Sequence, residues 1–418
     1  MPRIVLAWIL LFAAVGIAQE EGAIPIPIDY EGETESAGGR SFVDDVFHAT
    51  RNHFGFSVSA YQAYTTDVSR VGEPNRDAGI TSVMPRAFFN AGRRRSQFHF
   101  DLGAGYRMYN RERSFNSWDY FANAQYRYEL STRTSLQISD QFTSSYNDSW
   151  SFVSLYSPIR HNPGFSNELL FNRQRITRNA AVAQLNSQIT RKARLGVFGG
   201  YNSYRYAEST LGNASAIEAG AEFDYRLNRW LYLASRYSTY LNYVDDRFRD
   251  TQIHRLQFAG VDFNLTRSWR AWMTAGAEAS RQQERYRVSE SIDAGLGYNS
   301  YRSTFSLTYQ HGFTAGIGIS RLLRSDVFSG NFGYRANRWL SGNLQSYYYR
   351  SRELEGSGKL ETISFGGGLQ FALRRDLIAS ASSYYQHQRT RDFSIDGLGL
   401  SRLTAYVGLQ YVWPSLSN

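Results

Sequence analysis

The chain has 418 residues and no cysteine, with 42% hydrophobic and 16% aromatic residues, and its mean hydropathy is -0.46. Disulfide frameworks, thiolate zinc sites and a cysteine nucleophile are excluded, and a chain this aromatic has too much surface to bury to be disordered over most of its length. The net charge of +9 comes from 46 basic against 37 acidic residues, but only Lys192 and Lys359 are lysines and the arginines are scattered, which argues against a nucleic-acid footprint.

Met1 to Ala18 carries one basic residue, Arg3, then an apolar run from Ile4 to Val15, then the small residues Gly16 and Ala18 around Ile17. This pattern predicts a secretory signal peptide cleaved after Ala18, and the run is short for a helix that must span with about 20 residues. Residues 19–50, which contain Ile-Pro-Ile-Pro-Ile followed by an acidic Gly/Ser segment, are expected to form a flexible periplasmic leader, and 51–418 the barrel described below.

From Phe54 onward the hydrophobic period is two. Phe98, Phe100, Leu102, Ala104, Tyr106 and Met108 alternate with His99, Asp101, Gly103, Gly105 and Arg107. Next, Trp118, Tyr120, Ala122, Ala124, Tyr126, Tyr128 and Leu130 alternate with Asp119, Asn123, Gln125, Arg127 and Glu129. Each pattern predicts a strand with one apolar and one polar face. The runs are about 11 to 15 residues long, against five or six for a strand in a globular sheet and about 9 to 11 for one that crosses a membrane.

A longer connection follows. From Arg133 to Arg191 is 58 residues, and the excess lies between Tyr146 and Arg178, with Trp150, Tyr156, Arg160, His161, Arg173 and Arg175. One expectation is a loop that folds into the lumen and constricts it, with Arg160, Arg173 and Arg175 set against acidic wall residues. The other is a long hairpin standing above the membrane.

Arg-bearing turns then recur at Arg191, Arg229, Arg267, Arg302, Arg338 and Arg375, in steps of 38, 38, 35, 36 and 37 residues. Each step holds two long strands, one minimal turn and one longer loop, whereas a soluble propeller of similar period has four short strands per repeat. An aromatic precedes the turns at a constant pace: Tyr126, Phe223, Phe263, Tyr298, Tyr334, Phe371 and Tyr411. In lipid every backbone N–H and C=O must pair, so a sheet spans only when closed, and these aromatics are expected to form the girdle at one interface. Eight short turns and nine longer loops predict an all-β fold, a transmembrane antiparallel up-and-down barrel of about 18 strands, with 16 to 20 also compatible and both ends periplasmic.

The last strand, Tyr406-Val-Gly408-Leu-Gln-Tyr411-Val-Trp413, resembles the C-terminal assembly signal of Gram-negative outer-membrane barrels, with Gly408, Tyr411 and Trp413 at the signal positions. With the leader and the repeat, the chain resembles an outer-membrane β-barrel of porin type. The resemblance implies an outer-membrane location, contact with lipid and lipopolysaccharide, insertion by the barrel-assembly machinery and passage of small polar solutes. Many porins are trimers, so a homotrimer is among the expectations, and no nucleic-acid partner is.

A barrel of this size has an aqueous lumen. Its expected lining is Asp101, Arg107, Asp119, Arg127, Glu222, Asp224, Arg226, Arg236, Asp262, Arg270, Glu278, Asp293 and Arg335, about half of them in Arg–carboxylate pairs that stiffen the wall. The reading is a pore for passive diffusion of small polar or anionic solutes. Such a pore is expected to show opposed acidic and basic walls, whereas export of an anionic polysaccharide would call for a continuous Arg track along one wall and a plugging loop, and a barrel-anchored surface hydrolase or adhesin for a rim Ser/His pair or long ordered outer loops. No His-x-x-x-His, His-Glu-x-x-His or Gly-x-Ser-x-Gly occurs, so no catalytic residue, metal ligand or cofactor site is assigned. Gly103, Gly295 and Gly366 lie inside alternating strands and are read as places where the sheet curves or an aromatic packs over backbone.

Overall fold

The computed structural model describes residues 53–68, 76–93, 95–146, 175–207, 213–228, 231–244, 251–266, 268–282, 285–315, 322–354, 356–392 and 400–413. The predicted signal peptide, the leader and the whole 147–174 connection, with Arg160 and Arg173, lie outside the described residues. Eighteen antiparallel strands form one sheet that closes on itself through β1 and β18. They are β1 (His53–Val68), β2 (Arg76–Arg93), β3 (Ser96–Tyr109), β4 (Ser117–Glu129), β5 (Thr134–Tyr146) and β6 (Arg175–Gln188). Next come β7 (Ala193–Tyr206), β8 (Ala214–Arg226), β9 (Leu231–Val244), β10 (Thr251–Asn264), β11 (Trp269–Gln282) and β12 (Arg285–Asn299). The last six are β13 (Ser303–Ala315), β14 (Leu322–Arg335), β15 (Leu340–Glu353), β16 (Lys359–Ala372), β17 (Leu377–Arg391) and β18 (Leu400–Trp413). At 13 to 18 residues each, they reach the length a membrane-crossing strand needs, and β1 and β2, at 16 and 18, exceed the length the alternation predicts.

Closure leaves the barrel without a free edge, and the alternation sorts its residues into two environments. Leu102, Leu233, Met273, Leu307, Phe328, Leu344, Phe365 and Leu409 are exposed on the outer face. Asp101, Arg107, Asp119, Asp262, Glu278, Gln388 and Thr404 are buried on the inner one. The seven predicted girdle aromatics all stand on the outer face close to the short turns. Within that belt the rings of Trp269 and Tyr298 are 4.7 Å apart and those of Tyr411 and Trp413 are 4.4 Å apart.

The turns repeat for a physical reason beyond their arginines. In six of the short turns the opening residue carries a short side-chain oxygen that accepts backbone N–H groups two or three residues on. Thr190 Oγ1 accepts from Lys192 and Ala193 at 3.2 and 3.0 Å, Thr266 Oγ1 from Ser268 and Trp269 at 3.1 and 3.0 Å, and Asn337 Oδ1 from Trp339 and Leu340 at 2.7 and 2.9 Å. Ser131, Asn228 and Ser300 do the same in their own turns. Capping by side chain satisfies donors that a two-strand reversal would otherwise leave open.

Two irregularities shape the wall. β10 carries one residue more than either neighbour needs: Gln257 faces Gly276 and Ala259 faces Ala275, while on the other side Gln257 faces Arg236 and Gly260 faces Ala234. This β-bulge restores the inward direction of Asp262 after Gln257, and its backbone presses so closely on Gly276 that a Cβ there would sit 1.9 Å from Leu256 O. The second irregularity is a seam. β12 and β13 pair only between Ile292–Asn299 and Thr304–His311, so above that level, toward the longer loops, the two strands part.

Candidate functional site

The thirteen predicted lining residues all project from the inner face, and most of those on β3–β4 and β7–β12 have found partners. Arg86 donates to Asp101 at 2.6 and 2.5 Å, and Arg107 to Asp119 at 2.8 Å. Arg270 Nε donates to Asp262 at 2.7 Å, Arg255 pairs with Glu278, and Arg194 lies 3.7 Å from Glu222. Arg236 stands directly across from Glu222 and over the Phe198 ring at 4.9 Å, while Asp293 accepts from Trp272 and Gln310. The planar guanidinium suits these sites because its fixed fork holds a carboxylate in one geometry, so the wall is stiff as well as charged.

The charges do not separate into facing acidic and basic walls, nor do they line up as one continuous Arg track. Cations and anions alternate along β7–β12. Beside them in the ring, β13–β17 present hydroxyl and amide groups between Arg335 at one end and Glu353 at the other. Thr308 bonds Ser329 at 2.5 Å, Ser325 bonds Tyr349 at 2.9 Å, and Thr362 donates to Gln388 at 3.3 Å. The lumen therefore has a charged arc adjoining a neutral hydrogen-bonding arc.

Inward aromatics lie flat over glycines of the next strand. Phe121 covers Gly103, Trp272 covers Gly295 and Tyr384 covers Gly366, each from the directly opposed position. At the closing seam Tyr61 covers Gly408, where a Cβ would come 2.1 Å from the ring. Each ring buries its neighbour's backbone and takes little of the bore, which is what makes an aromatic tolerable on a wet wall.

The mouth on the loop side is narrowed by apolar groups. Ile176, Tyr204, Ala216, Tyr240 and Ile253 on β6–β10 form one buried cluster with Phe313 and Leu322, from the tips of β13 and β14. Because β13 has left β12 at this level, its tip leans inward and seats Phe313 among residues of the facing strands. Glu278 and Arg255 hold it there: the Glu278 carboxylate accepts the Phe313 N–H, and Arg255 donates to Phe313 O at 3.5 Å. A second buried cluster, with Tyr61, Ile80, Tyr109 and Tyr406, includes Phe115, delivered by the short helical turn Arg113–Phe115.

The expectation for Arg175 needs correcting. It is the first residue of β6 and lies on the outer face, donating to the Trp118 carbonyl and standing 5.4 Å from the Tyr146 ring centroid and 5.9 Å from that of Tyr120. Alternation explains this, since Ile176 is buried inside and its predecessor must point out. Arg178, three residues on, faces the lumen over Tyr204 at 5.2 Å.

Sequence reasoning missed Arg86, Arg194, Glu218 and Arg255 on the inner face. Arg86 was obscured by Met84 and Phe88, apolar residues that also face inward. The rim does hold one Ser/His pair, His387 Nδ1 and Ser401 Oγ at 2.6 Å, on the outer face of β17 and β18. Among the described residues no carboxylate pairs with that imidazole and no cluster of metal-ligating side chains occurs, so the pair lacks the orienting group that a hydrolase dyad uses.

No family model and no curated protein matches the chain. In fold it is similar to solved structures: Pseudomonas aeruginosa OccK2 (OpdF), with 12% identity, a TM-score of 0.44 and 87% of this chain covering 98% of that one. The Acinetobacter baumannii OccAB4 structure has 11% identity and a TM-score of 0.45 over 87% and 98%, and the P. aeruginosa outer membrane protein OpdK has 11% and 0.43 over 86% and 98%. At these identities the likeness assigns no solute and no residue role to this chain.

Proposed function

We propose that the protein is an outer-membrane pore for the passive diffusion of small polar or anionic solutes. One observation carries this reading: a closed sheet of 18 strands with an apolar outer belt and a polar, charged inner wall. Only a closed barrel satisfies its backbone in lipid, and one this wide surrounds water. The short capped turns face the periplasm and the longer loops the exterior. β18, with Gly408, Tyr411 and Trp413, serves as the strand handed to the assembly machinery before it closes on β1. No enzymatic step is assigned: the Ser401–His387 pair stands on strands whose backbone donors are committed to the sheet, leaving none for an oxyanion.

Paired wall charges favour weak selectivity, while the neutral arc on β13–β17 offers hydrogen bonds to hydroxylated solutes. Planar-bilayer recording on the purified protein tests the reading. Stepwise conductance with a modest anion preference is expected, and a preparation that folds and inserts without steps removes it.

A further inference from the structure

Among the described residues, the outer face of the barrel gathers cations in a row that the fold itself has not used. At the loop-side ends of β14–β17 the register sets the side chains in rows that run across four strands. One row reads Asp326, Arg350, Glu361, Arg389, each opposite the next, so the signs alternate and the row neutralises itself. The row above it reads Arg324, Arg352, Lys359, Arg391, in the same strands and the same order. All four are cations, and only Arg324 has an acidic partner, Glu290 on β12. Among the described residues Arg352, Lys359 and Arg391 make no ion pair or hydrogen bond. Like charges placed directly opposite one another destabilise a sheet, and neighbouring strands are only about 4.8 Å apart, so three adjacent cations without an acidic partner among the described residues make a seat for an anion.

The rows beneath say what the anion is attached to. Below the alternating row come Phe328, Tyr348, Ile363 and His387, and below that Phe365 and Tyr385, each row about 7 Å from the next, so that the apolar rows begin about 13 Å from the cations. An anion seated on the upper row therefore has its attached chains lying on aromatic and aliphatic side chains.

We propose that Arg352, Lys359 and Arg391 form a binding site for the phosphate headgroup of a multiply acylated glycolipid of the outer leaflet. The site rests on the placement proposed above, with the loop-side ends at the outer surface. Other outward cations of that rim are dispersed: Arg175 is engaged by Trp118, Arg281 lies over Tyr286 and Arg205 stands opposite Thr177, so none reproduces the row. Guanidinium groups from two strands can grip phosphate oxygens while the ammonium between them supplies a point charge. The alternating row below excludes a second phosphate and sets the depth of the first.

Native mass spectrometry of the detergent-purified barrel, titrated with diphosphoryl lipid A, reads the site directly. Wild type is expected to retain the lipid, with at least tenfold weaker retention of fully dephosphorylated lipid A. The triple variant Arg352→Gln/Lys359→Gln/Arg391→Gln is expected to lose at least tenfold in retention, while Arg281→Gln binds as wild type. Equal retention by the triple variant, or equal retention of the dephosphorylated lipid, overturns the site. Inorganic phosphate is the comparison for source: if it binds the row alone and displaces the lipid completely at equal concentration, the acyl chains contribute nothing and the lipid assignment falls. Should the triple variant fail to fold, as judged by heat-modifiable migration, Lys359→Gln alone is expected to weaken retention about threefold, and no change overturns the site.

Bilayer conductance on the same samples separates this result from the pore reading, since each can fail with the other intact. Ser357→Cys, in the turn between β15 and β16, is expected to react with an impermeant thiol reagent on whole cells; protection there with labelling after lysis overturns the outer-leaflet assignment.

Discussion

The carboxylate of Glu278 on β11 accepts the backbone N–H of Phe313 on β13, two strands away. A side chain thus replaces a ladder bond at the level where β12 has parted from β13, and Arg255 completes the substitution by reaching both Glu278 and the Phe313 carbonyl. Removing Glu278 strands a buried guanidinium and an unpaired amide together. Glu278→Ala is therefore expected to lower stability by about 3–5 kcal/mol, read as the urea midpoint in detergent, and to raise amide exchange at residues 312–315 above that of the β6–β7 hairpin. Unchanged exchange there would show that the seam is closed by something else.

Phe313 governs the width of the mouth. Its ring is 1% exposed among Tyr240, Ile253 and Leu322, and truncation leaves space at the narrow end of the lumen. Single-channel conductance of Phe313→Ala is expected to rise, on the order of twofold, with ion preference nearly unchanged because no wall charge is touched. A fall in conductance, or a shift in reversal potential without one in conductance, contradicts this assignment.

Gly276 and the bulge in β10 depend on one another. Gly276→Ala places a Cβ against Leu256 O and Gln257 Cα, both backbone, and costs about 1–3 kcal/mol. Deleting Ala259 removes the extra residue and returns β10 to regular pairing. The double variant is expected to recover most of the stability that Gly276→Ala loses, as measured by the fraction migrating as folded protein after mild heating.

Closure at β1 and β18 has a similar mutual fit. Gly408→Ala meets the Tyr61 ring at 2.1 Å and Ala60 O at 2.9 Å, so the last strand pairs poorly and the folded yield falls. Tyr61→Ala restores room for the new methyl, and the pair of changes is expected to fold better than Gly408→Ala alone, though below wild type by about 1–2 kcal/mol for the lost aromatic cover. If Tyr61→Ala gives no rescue, the backbone of Ala60 rather than the ring sets the limit.

Strand number and the two faces were legible because alternation is local and the turns recur at a near-constant step. The inner-face set Glu222, Asp224 and Arg226 lies next to a turn, where counting starts from a fixed point. Arg255 was not legible for a definite reason. Counting back from Asp262 by strict alternation puts Arg255 on the lipid side, and only the bulge between them brings both inward. The seam was hidden too, since residues 285–291 alternate no differently from a fully paired strand. The turn caps were visible as Thr190, Thr266 and Asn337 but were overshadowed by the arginines beside them.

A tube whose charged arc on β7–β12 adjoins a neutral arc on β13–β17, and whose two ends differ, has three directions that cannot be exchanged. A solute inside it turns its ionised end one way, its hydroxyls another, and travels along the third. Mirror-image solutes cannot satisfy all three alike, so the lumen described here is handed, and its permeability distinguishes enantiomers that have the same size and charge.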